Sequence, residues 1–505
     1  MAFVINQNAI IKNTIALYVR MGFTMIISFL ASRVTLQVLG VEDYGLNNLL
    51  SGVVALFSFI NGSMGTAVQR FLSYNIGKKD DVKLKKTFGV GLYLYVIITI
   101  VTFILLEIFA LFFISKLNIP PDRLLTAKIV FQISSLQLVL NIFVVPYAAL
   151  LRAREEFTKI AYIEIGQALL RLVSLYLLYI ISFDKLILLS TLNFIVTLTY
   201  VWIFVYYARK FREARTSLRK DREIIKEMFN FVSMLLVTVL ASLARDNGIV
   251  ILINLFFGLL INAAYAVASQ VMSLAKTFVQ NFKQSMVPQL MASYGAGDTT
   301  TMIRLINTGT KITFLLMLFL TIPLMFEMEY VLRLWLKTPP EHSCYLAILA
   351  LVEVNVSTFT YFHYQGIHAT GKVNQSQITM SVLYLFNIFL IWLLFKLGFG
   401  FSYALYATIF VSVLQCMSNC FFAHKTYDYP VKKFVKIILS KVVLITIIVC
   451  IVMYFTTNLM HPSFVRLVVT FIVSSLIILF LGYFILLDHP EQLKARAILN
   501  RFVKR

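Results

Sequence analysis

Long apolar runs limit most strongly what this chain can fold into. Many segments consist almost entirely of apolar residues over about 20 positions, which is the length that a helix needs to cross a bilayer. Of the 505 residues, 60% are hydrophobic and only 13% are charged, whereas about 25% are charged in a typical soluble protein. Too few charges remain to cover a water-exposed surface, so the sequence predicts an all-α integral membrane protein.

We expect about fourteen transmembrane helices, arranged as two pseudo-symmetric six-helix lobes followed by two C-terminal helices. The predicted spans are 11–38, 44–70, 87–113, 122–148, 159–182, 186–208, 228–256, 259–286, 303–326, 342–368, 374–396, 402–423, 434–456 and 464–486. They give an N-lobe over 1–208, a basic cytoplasmic linker over 209–227, a C-lobe over 228–424, and the last two spans with a basic tail over 425–505.

Lysine and arginine lie mostly on one side of the predicted spans. With the N-terminus in the cytoplasm, the inner loops and tails hold 27 of these residues and the outer loops hold 7. Cytoplasmic loops of membrane proteins are enriched in lysine and arginine. The sequence therefore predicts a multi-pass protein of the bacterial inner membrane with both termini cytoplasmic. The same loops account for most of the net charge of +22, which argues against nucleic acid as a partner.

A pair of matching segments indicates that the two lobes are repeats. With a shift of 220 residues, 73–77 (SYNIG) aligns with 293–297 (SYGAG), and each segment follows the second span of its lobe. So sparse a match can also arise by chance. Internal repeats are nevertheless a common plan of transporters, which place the substrate site where the repeats meet.

Ionisable residues inside spans are the best candidates for function, because each costs at least ~2.5–3.5 kcal/mol to insert. They are Arg20, Arg33, Glu164, Arg171, Arg245, Asp246, Lys276, Lys283, Lys311 and Glu353. Bases outnumber acids, which favours a water-filled cavity that attracts anions. The predicted substrate-binding bases are Arg20, Arg33, Arg245 and Lys276. For Arg20 and Arg33 the alternative is that the side chain reaches back to the nearest membrane interface.

Two acids are predicted to hold a coupling cation or to balance charge, namely Asp246 and Glu353. Neighbouring side chains on a helix point about 100° apart, so a simple salt bridge between Arg245 and Asp246 is not expected. Asp246 is instead expected to pair with a base on another span, as structural glue or beside a bound cation, while Arg245 faces the substrate.

Polar residues at helical spacing mark one face of two spans. In span eight the polar stripe consists of Asn262, Ser269, Ser273, Lys276, Gln280 and Gln284. In span two a weaker stripe consists of Asn47, Ser51, Ser58, Gly62, Thr66 and Gln69. Lipid cannot satisfy polar groups, so we expect both stripes to line one central cavity, with helix packing through small polar residues as the alternative. Span ten is also polar, which suits either sugar contact or mutual hydrogen bonding.

Other kinds of site have little support. Cys416 and Cys420 are four residues apart on a predicted helix, but no His or carboxylate is positioned to complete a metal site with them. A membrane glycosyltransferase or glycan polymerase would need a sizeable outer loop with catalytic acids, and the predicted outer loops are short. The sequence contains no nucleotide-binding loop, so direct ATP drive is not expected. No cleavable signal peptide is expected either.

The run LGVEDYG at 39–45, followed by a polar second span ending QRFLS at 69–73, resembles the polysaccharide-exporting flippases. These are the Wzx-type O-antigen translocases of the multidrug/oligosaccharidyl-lipid/polysaccharide (MOP) exporter superfamily. The resemblance implies a two-lobed fold with a V-shaped cationic cavity that opens alternately to each side. It also implies that spans one, two, seven and eight line this cavity, so that the matching positions include the predicted bases and Asp246.

The implied function is to flip an undecaprenyl-diphosphate-linked oligosaccharide from the cytoplasmic to the outer leaflet, for O-antigen or capsule synthesis. No cofactor is expected beyond H⁺ or Na⁺ as a coupling ion. Candidate partners are membrane lipids, a polysaccharide polymerase and a chain-length regulator. The alternative is a cation-coupled drug exporter of the same superfamily, whose site should be rich in acids, whereas the spans here are rich in bases.

Overall fold

The computed structural model of the chain describes residues 7–56, 59–113, 121–215, 218–489 and 491–493. Within this part the backbone forms helices and connecting turns and no strand. The first half contains α1 Gln7–Leu56, α2 Phe59–Lys78, α3 Asp81–Phe113, α4 Leu124–Phe143, α5 Val145–Ala153, α6 Phe157–Ile180 and α7 Lys185–Ala208. The second half contains α8 Arg222–Gly295, α9 Thr299–Phe326, α10 Met328–Leu336, α11 Ser343–Thr358, α12 Tyr361–Thr370, α13 Asn374–Lys396, α14 Tyr403–Tyr427, α15 Val431–Lys433, α16 Ser440–Asn458 and α17 Phe464–Leu481. Two π-helical segments, Phe434–Leu439 and Gly482–Leu486, precede α16 and follow α17.

Eleven helical segments of the described chain are long and apolar enough to cross a membrane. They correspond to predicted spans three to seven and nine to fourteen, which confirms the all-α, multi-pass architecture. The predicted spans 11–38, 44–70 and 259–286 are not among the eleven. Some side chains of the first two lie outside the described residues, and the first contains a shorter apolar helical stretch, Asn13–Ile27.

Each of the two longest helices runs through a predicted boundary between spans, and only one of the two boundaries coincides with a break in the helix. Helix α8 runs through the predicted boundary between spans seven and eight, where Gly258 has φ +77 and interrupts the helical geometry. Glycine tolerates this conformation because it has no Cβ. Helix α1 is continuous from Gln7 to Leu56, so the break expected at 39–43 is wrong. That run contains no proline, and its polar residues do not by themselves end a helix.

Capping and proline residues set several helix ends. The carboxylate of Asp184 accepts hydrogen bonds from the backbone N–H groups of Leu186 and Ile187 at 3.0 and 3.1 Å and so begins α7. Ser463 caps α17 in the same way through the N–H of Arg466 at 3.1 Å. Pro146 lies in the first turn of α5, where its missing N–H costs least, and separates α5 from α4 within one predicted span.

The same kind of cap ends α2 in the first half and α8 in the second half. At the end of α2, Asp80 N–H donates to Asn75 O at 3.1 Å, and Lys79 adopts φ +58. At the end of α8, Asp298 N–H donates to Ser293 O at 3.0 Å, and Gly297 adopts φ +77. The positions correspond with a shift of 218 residues, and the next helices begin at Asp81 and Thr299 with the same shift. These two helix ends therefore correspond with a shift of 218 residues, two fewer than the predicted shift of 220.

The register error has a simple cause. Matching letters favours the alignment of SYNIG with SYGAG, whereas the backbone requires only that one residue after each helix adopt the left-handed conformation. Lys79 and Gly297 both do so, although their side chains have nothing in common.

The chain divides into two compact units. Unit 1 consists of Met1–Leu236 with Val287–Asp298, and unit 2 consists of Val237–Met286 with Thr299–Arg505. The division falls inside α8 rather than in the predicted linker 209–227, and the last two spans belong to unit 2. The linker packs on unit 1, because Arg154 Nη2 lies 2.6 Å from Oε1 of the buried Glu213.

Candidate functional site

The first predicted base, Arg20, forms an ion pair within unit 1. Its Nη1 lies 2.6 Å from Oε2 of Glu164 on α6, and both side chains are half-buried. Membrane-buried charges are usually paired in this way, because an uncompensated charge at this depth is costly. Arg20 therefore does not reach back alone to the interface, and its charge is already balanced by Glu164.

Arg171 lies seven residues after Glu164 and so on the same face of α6. It is near the middle of this 24-residue helix, and the side chain is exposed. Among the described residues it has no carboxylate in ion-pair contact. An exposed arginine at this depth is stable only where water, protein or a ligand can meet it, because hydrocarbon cannot.

The second predicted base, Arg245, binds the acid beside it. Its Nε and Nη2 donate to Oδ1 of Asp246 at 2.9 and 2.7 Å, and its guanidinium lies 4.6 Å from the ring centre of Tyr384. The expectation that these neighbours form no salt bridge is wrong. The angle between their Cβ directions does not prevent it, because the long arginine side chain curls back along the helix to the carboxylate. Asp246 remains 57% exposed.

The third predicted base, Lys276, pairs with the second predicted charge-balancing acid. Its Nζ lies 3.2 Å from Oε2 of Glu353, whose side chain is only 2% exposed. Ser412 donates a hydrogen bond to the other carboxylate oxygen at 3.1 Å. This places Glu353 as the counter-ion of Lys276 within unit 2, with α8, α11 and α14 each supplying one group.

Lys283 lies two turns beyond Lys276 on α8, and it is buried, with 6% of its surface exposed. Its Nζ lies 4.5 Å from the ring centre of Tyr361, an arrangement in which the negative face of the ring partly replaces a counter-ion. Within the described chain, no carboxylate is in ion-pair contact with Lys283.

These ion pairs change which of the in-span bases are candidates for binding an anionic ligand. Three in-span acids each neutralise one of the predicted substrate-binding bases, in the pairs Arg20–Glu164, Arg245–Asp246 and Lys276–Glu353. A further in-span acid, Glu107 on α3, accepts a hydrogen bond from Gln132 Nε2 at 3.0 Å and is in ion-pair contact with no base among the described residues. Lys311 is balanced from outside the spans, by Asp488 at 2.7 Å and Glu491 at 3.0 Å. The side chain of Arg33 lies outside the described residues. Of the ten in-span residues named from the sequence, the described bases without a carboxylate in ion-pair contact are thus Arg171 in unit 1 and Lys283 in unit 2.

Sequence reasoning had noted both of these residues but did not select them. The charge count along each helix gives only a partial signal. Of the residues named, span eight carries two bases, Lys276 and Lys283, and no acid, whereas span five carries one base and one acid, Arg171 and Glu164. Which base is left depends on side-chain contacts between helices, and a single sequence does not contain them.

The predicted polar stripe on span eight lies on an accessible face of α8. Ser273 and Gln280 are exposed, and Ser269 and Lys276 are partly exposed. The opposite face packs in the core of unit 2 through Ala264, Ala268, Ala275 and Val279. The stripe is therefore not a helix-packing seam within unit 2. On span two, Asn47 is partly exposed and Ser51 exposed, while Ser58 lies outside the described residues.

Some polar residues of span ten are hydrogen-bonded to residues of neighbouring spans. Asn355 Nδ2 donates to Thr321 Oγ1 at 3.0 Å, and Gln377 Nε2 lies 2.8 Å from the ring nitrogen Nε2 of His368. His363 is fully buried. Asn355 and His368 thus have hydrogen-bond partners on adjacent spans, whereas both ring nitrogens of His363 are buried without one.

Cysteine and metal-binding groups add no further site in the described chain. Cys416 donates to the carbonyl oxygen of Val356 at 3.3 Å, and Cys420 is a free thiol. Among the described residues, no group of three or more His, Cys, Asp or Glu side chains is arranged to hold a metal ion. Asp246 is the more accessible of the two predicted coupling-cation residues.

Known protein structures have a similar architecture. A protein-family model described as MatE matches residues 14–177. No curated protein sequence matches the chain. Among solved structures, a MATE protein in the bent conformation aligns with a TM-score of 0.74 at 14% identity, over 83% of this chain and 95% of that one. The same kind of protein in the straight conformation aligns with a TM-score of 0.71 at 14% identity, over the same shares of both chains.

A third similar structure is a MOP superfamily transporter from Pyrococcus furiosus, which is described as having a binding pocket of reverse polarity that suggests a different function. It aligns with a TM-score of 0.67 at 13% identity, over 82% of this chain and 95% of that one. The chain thus has the helical fold of the MATE transporters over most of its length. Since these identities are low, the likeness is one of fold, and the cargo has to be argued from the side chains.

Proposed function

We propose that the protein is a flippase that moves an oligosaccharide linked to undecaprenyl diphosphate from the cytoplasmic to the outer leaflet of the bacterial inner membrane. The observation that carries the proposal is that two of the in-span bases named above, Arg171 in unit 1 and Lys283 in unit 2, have no carboxylate in ion-pair contact among the described residues. An anionic group on the cargo would balance the charge of whichever of the two it meets.

The chemistry of a diphosphate suits these two residues. Arginine offers a planar set of donors that binds two phosphate oxygens at once, and lysine offers a compact point charge. An opposite charge at 4 Å contributes ~4 kcal/mol at an effective dielectric constant of 20, so each such contact would offset part of the cost of taking the headgroup out of water. The membrane potential is negative inside, so it favours outward movement of an anion by ~2.3 kcal/mol for each elementary charge and each 100 mV of potential.

The same residues argue against a cation as the main cargo. A drug exporter that binds cations would be expected to keep its cavity acids free of bases, whereas Glu164, Asp246 and Glu353 each contact a base. Among the described in-span acids, Glu107 on α3 has no base in ion-pair contact and is held by Gln132 at 3.0 Å instead. Asp246 is the acid that best suits a coupling ion, because more than half of its surface is accessible. The fold alone does not decide the cargo, as the reverse polarity described for the archaeal transporter illustrates.

A flipping assay in vesicles tests the proposal. The purified chain is reconstituted with a fluorescent undecaprenyl-diphosphate-linked glycan, and movement is followed by quenching of the outer leaflet. We expect Arg171→Ala and Lys283→Gln each to lower the flipping rate at least tenfold, and Arg171→Lys to retain part of it. Lys396→Gln is the matched control, because Lys396 also lies over an aromatic ring, Trp392 at 5.0 Å, but is exposed at the end of α13.

Export of a lipophilic cation is measured in the same vesicles. If the wild-type protein exports the cation and leaves the glycan lipid in place, the drug-exporter alternative is correct. If Arg171→Ala and Lys283→Gln both flip the glycan lipid at the wild-type rate, these two cations do not bind the cargo.

A further inference from the structure

Unit 2 contains a large cavity that the proposed transport function does not use. Its volume is about 1250 Å³, and it lies among α11, α14 and α16 with the connecting segment 428–430. All lining residues belong to unit 2, and none is among the in-span charged residues discussed above.

The walls of the cavity are apolar and continue onto the outer surface of the protein. On α14 they are formed by Val413, Met417 and Phe421, which recur every four residues along one face. Leu439, Val443 and Ile447 recur in the same way from the end of the π-helical segment into α16. All of these except Leu439 are exposed, with Met417 at 64%. The cavity therefore opens sideways as a groove between two helices that would face lipid.

The groove exists because of a local change in helical geometry. The π-helical segment Phe434–Leu439 adds a residue to the turn that begins this span, and such bulges are frequent at functional sites. Phe434 points into the core, where its ring lies 4.5 Å from that of His363 and 5.5 Å from that of Phe359. Val435 and Leu439 are left to line the groove.

One end of the groove is basic. Lys432 and Lys433 line it there, and both are exposed. Asp428 and His424 lie at the same end, and a ring nitrogen of His424 is 3.2 Å from the carbonyl oxygen of Tyr429. Within the described chain, no carboxylate is in ion-pair contact with either lysine. The charge pattern predicts that this end faces the cytoplasm, where the leaflet is rich in anionic lipids.

We propose that this groove binds a membrane phospholipid with an anionic headgroup, with its acyl chains between α14 and α16 and its phosphate at Lys432 and Lys433. From Lys432 to Ile447 the helical rise is ~22 Å, which exceeds the ~15 Å thickness of one leaflet and so accommodates an acyl chain. Basic pockets between transmembrane helices on the cytoplasmic side are a recurring way to bind such headgroups. The ligand is a resident lipid and not the transported cargo.

Lipid binding to the purified full-length chain tests the assignment. The delipidated protein in detergent is titrated with dioleoylphosphatidylglycerol and, separately, with dioleoylphosphatidylcholine, and bound lipid is counted by native mass spectrometry. We expect selective binding of one phosphatidylglycerol. Lys432→Gln with Lys433→Gln should weaken it about 30-fold, which corresponds to ~2 kcal/mol from ~1 kcal/mol per lysine. The matched control is Lys83→Gln with Lys85→Gln, two exposed lysines elsewhere on the predicted cytoplasmic side.

The acyl-chain part is tested by filling the groove. Leu439→Trp should abolish binding of phosphatidylglycerol, whereas Leu476→Trp, at an exposed position of α17 outside the groove, should leave it unchanged. Equal binding of both phospholipids, or unchanged binding after Leu439→Trp, would overturn the proposal. Displacement of phosphatidylglycerol by an equal amount of undecaprenyl phosphate would also overturn it, by making the groove a cargo site. Melting temperatures without added lipid verify that each variant is folded.

Discussion

Gly77 and Gly295 occupy equivalent positions in the two repeats, and each lies against the backbone of the helix that carries the other. A Cβ atom on Gly77 would lie 1.9 Å from the carbonyl oxygen of Ala292, and one on Gly295 would lie 2.2 Å from the carbonyl oxygen of Tyr74. The rings of Tyr74 and Tyr294 lie beside this crossing, 6.2 Å apart. The ends of α2 and α8 are thus held at a distance that only glycine permits at both positions.

Replacing either glycine by alanine should therefore force this crossing apart. We expect Gly77→Ala and Gly295→Ala each to lower the free energy of unfolding by about 1–3 kcal/mol, the usual cost of overpacking, because backbone atoms cannot rotate away as a side chain can. Thermal melting of the purified variants measures the effect. Gly166→Ala is the control, since nothing lies within 4 Å of its added Cβ. Unchanged melting of both variants would mean that the crossing is looser than described.

The ion pair between Arg20 and Glu164 allows a charge-exchange experiment. Arg20→Ala and Glu164→Ala should each destabilise the protein by about 1.5–3 kcal/mol, because each leaves a half-buried charge without its partner. The exchanged double variant Arg20→Glu with Glu164→Arg should regain most of that stability. Its flipping rate then separates the two possible roles of Arg20. Recovery of both stability and transport would mean that Arg20 only balances Glu164, whereas stable but inactive protein would support contact with the cargo.

Lys311 should be the most sensitive of the paired lysines. Only 3% of its side chain is exposed, and its partners Asp488 and Glu491 come from the segment after the last span. Removing Glu491 by Glu491→Gln should destabilise the fold more than Asp488→Asn, because Glu491 is the more buried partner and also accepts a hydrogen bond from Thr308 at 2.6 Å. The triple variant Lys311→Met, Asp488→Asn and Glu491→Gln should recover part of the lost stability, since no unpaired buried charge remains.

Denaturant unfolding compares these Lys311-site variants, and Glu329→Gln is the control because its partner Arg333 is as exposed as it is. An effect of Glu491→Gln no larger than that of Glu329→Gln would contradict a buried attachment of this segment to α9.

Glu155 gives the protein a predictable pH dependence. It lies between α5 and α6, where burial raises the pKa of its carboxyl group, while the hydrogen bond from Gln289 Nε2 at 2.7 Å acts in the opposite direction. Since the folded pKa is raised, the unfolded chain releases this proton first as the pH rises. The contribution of Glu155 to stability is therefore present below its ordinary pKa and is lost as the pH rises through the raised one.

The variant Glu155→Gln should remove the loss of stability that Glu155 causes as the pH rises. We expect a higher melting temperature than wild type at neutral pH and little difference in the acid range below the ordinary pKa of glutamate. The neighbouring Glu156→Gln serves as the control, because Glu156 accepts a hydrogen bond from Lys159 at 2.6 Å. An equal gain in stability at neutral pH and in the acid range would contradict the conclusion that burial raises the pKa of Glu155.

The sequence determined the membrane character and most of the helical plan. Apolar runs long enough to cross a bilayer identify spans such as Asp81–Phe112 and Phe464–Leu486 without any tertiary information, because hydrocarbon forces backbone polar groups to bond within their own segment. The repeat was also visible in 73–77 and 293–297, although its register was not. Register depends on backbone conformation at Lys79 and Gly297, which letter matching does not measure.

Tertiary structure decided which charges are paired. The sequence showed an excess of bases in the spans, and that excess is real, but it did not show that Glu164 reaches Arg20 or that Glu353 reaches Lys276. An ion pair forms between side chains on different helices, at distances fixed by the packing of the whole unit, and spacing along one helix carries no record of it. Arg171 and Lys283 became the candidate cargo ligands for this reason. The sequence sets how many charges must be balanced, and only the packed helices determine which of them remain for a ligand.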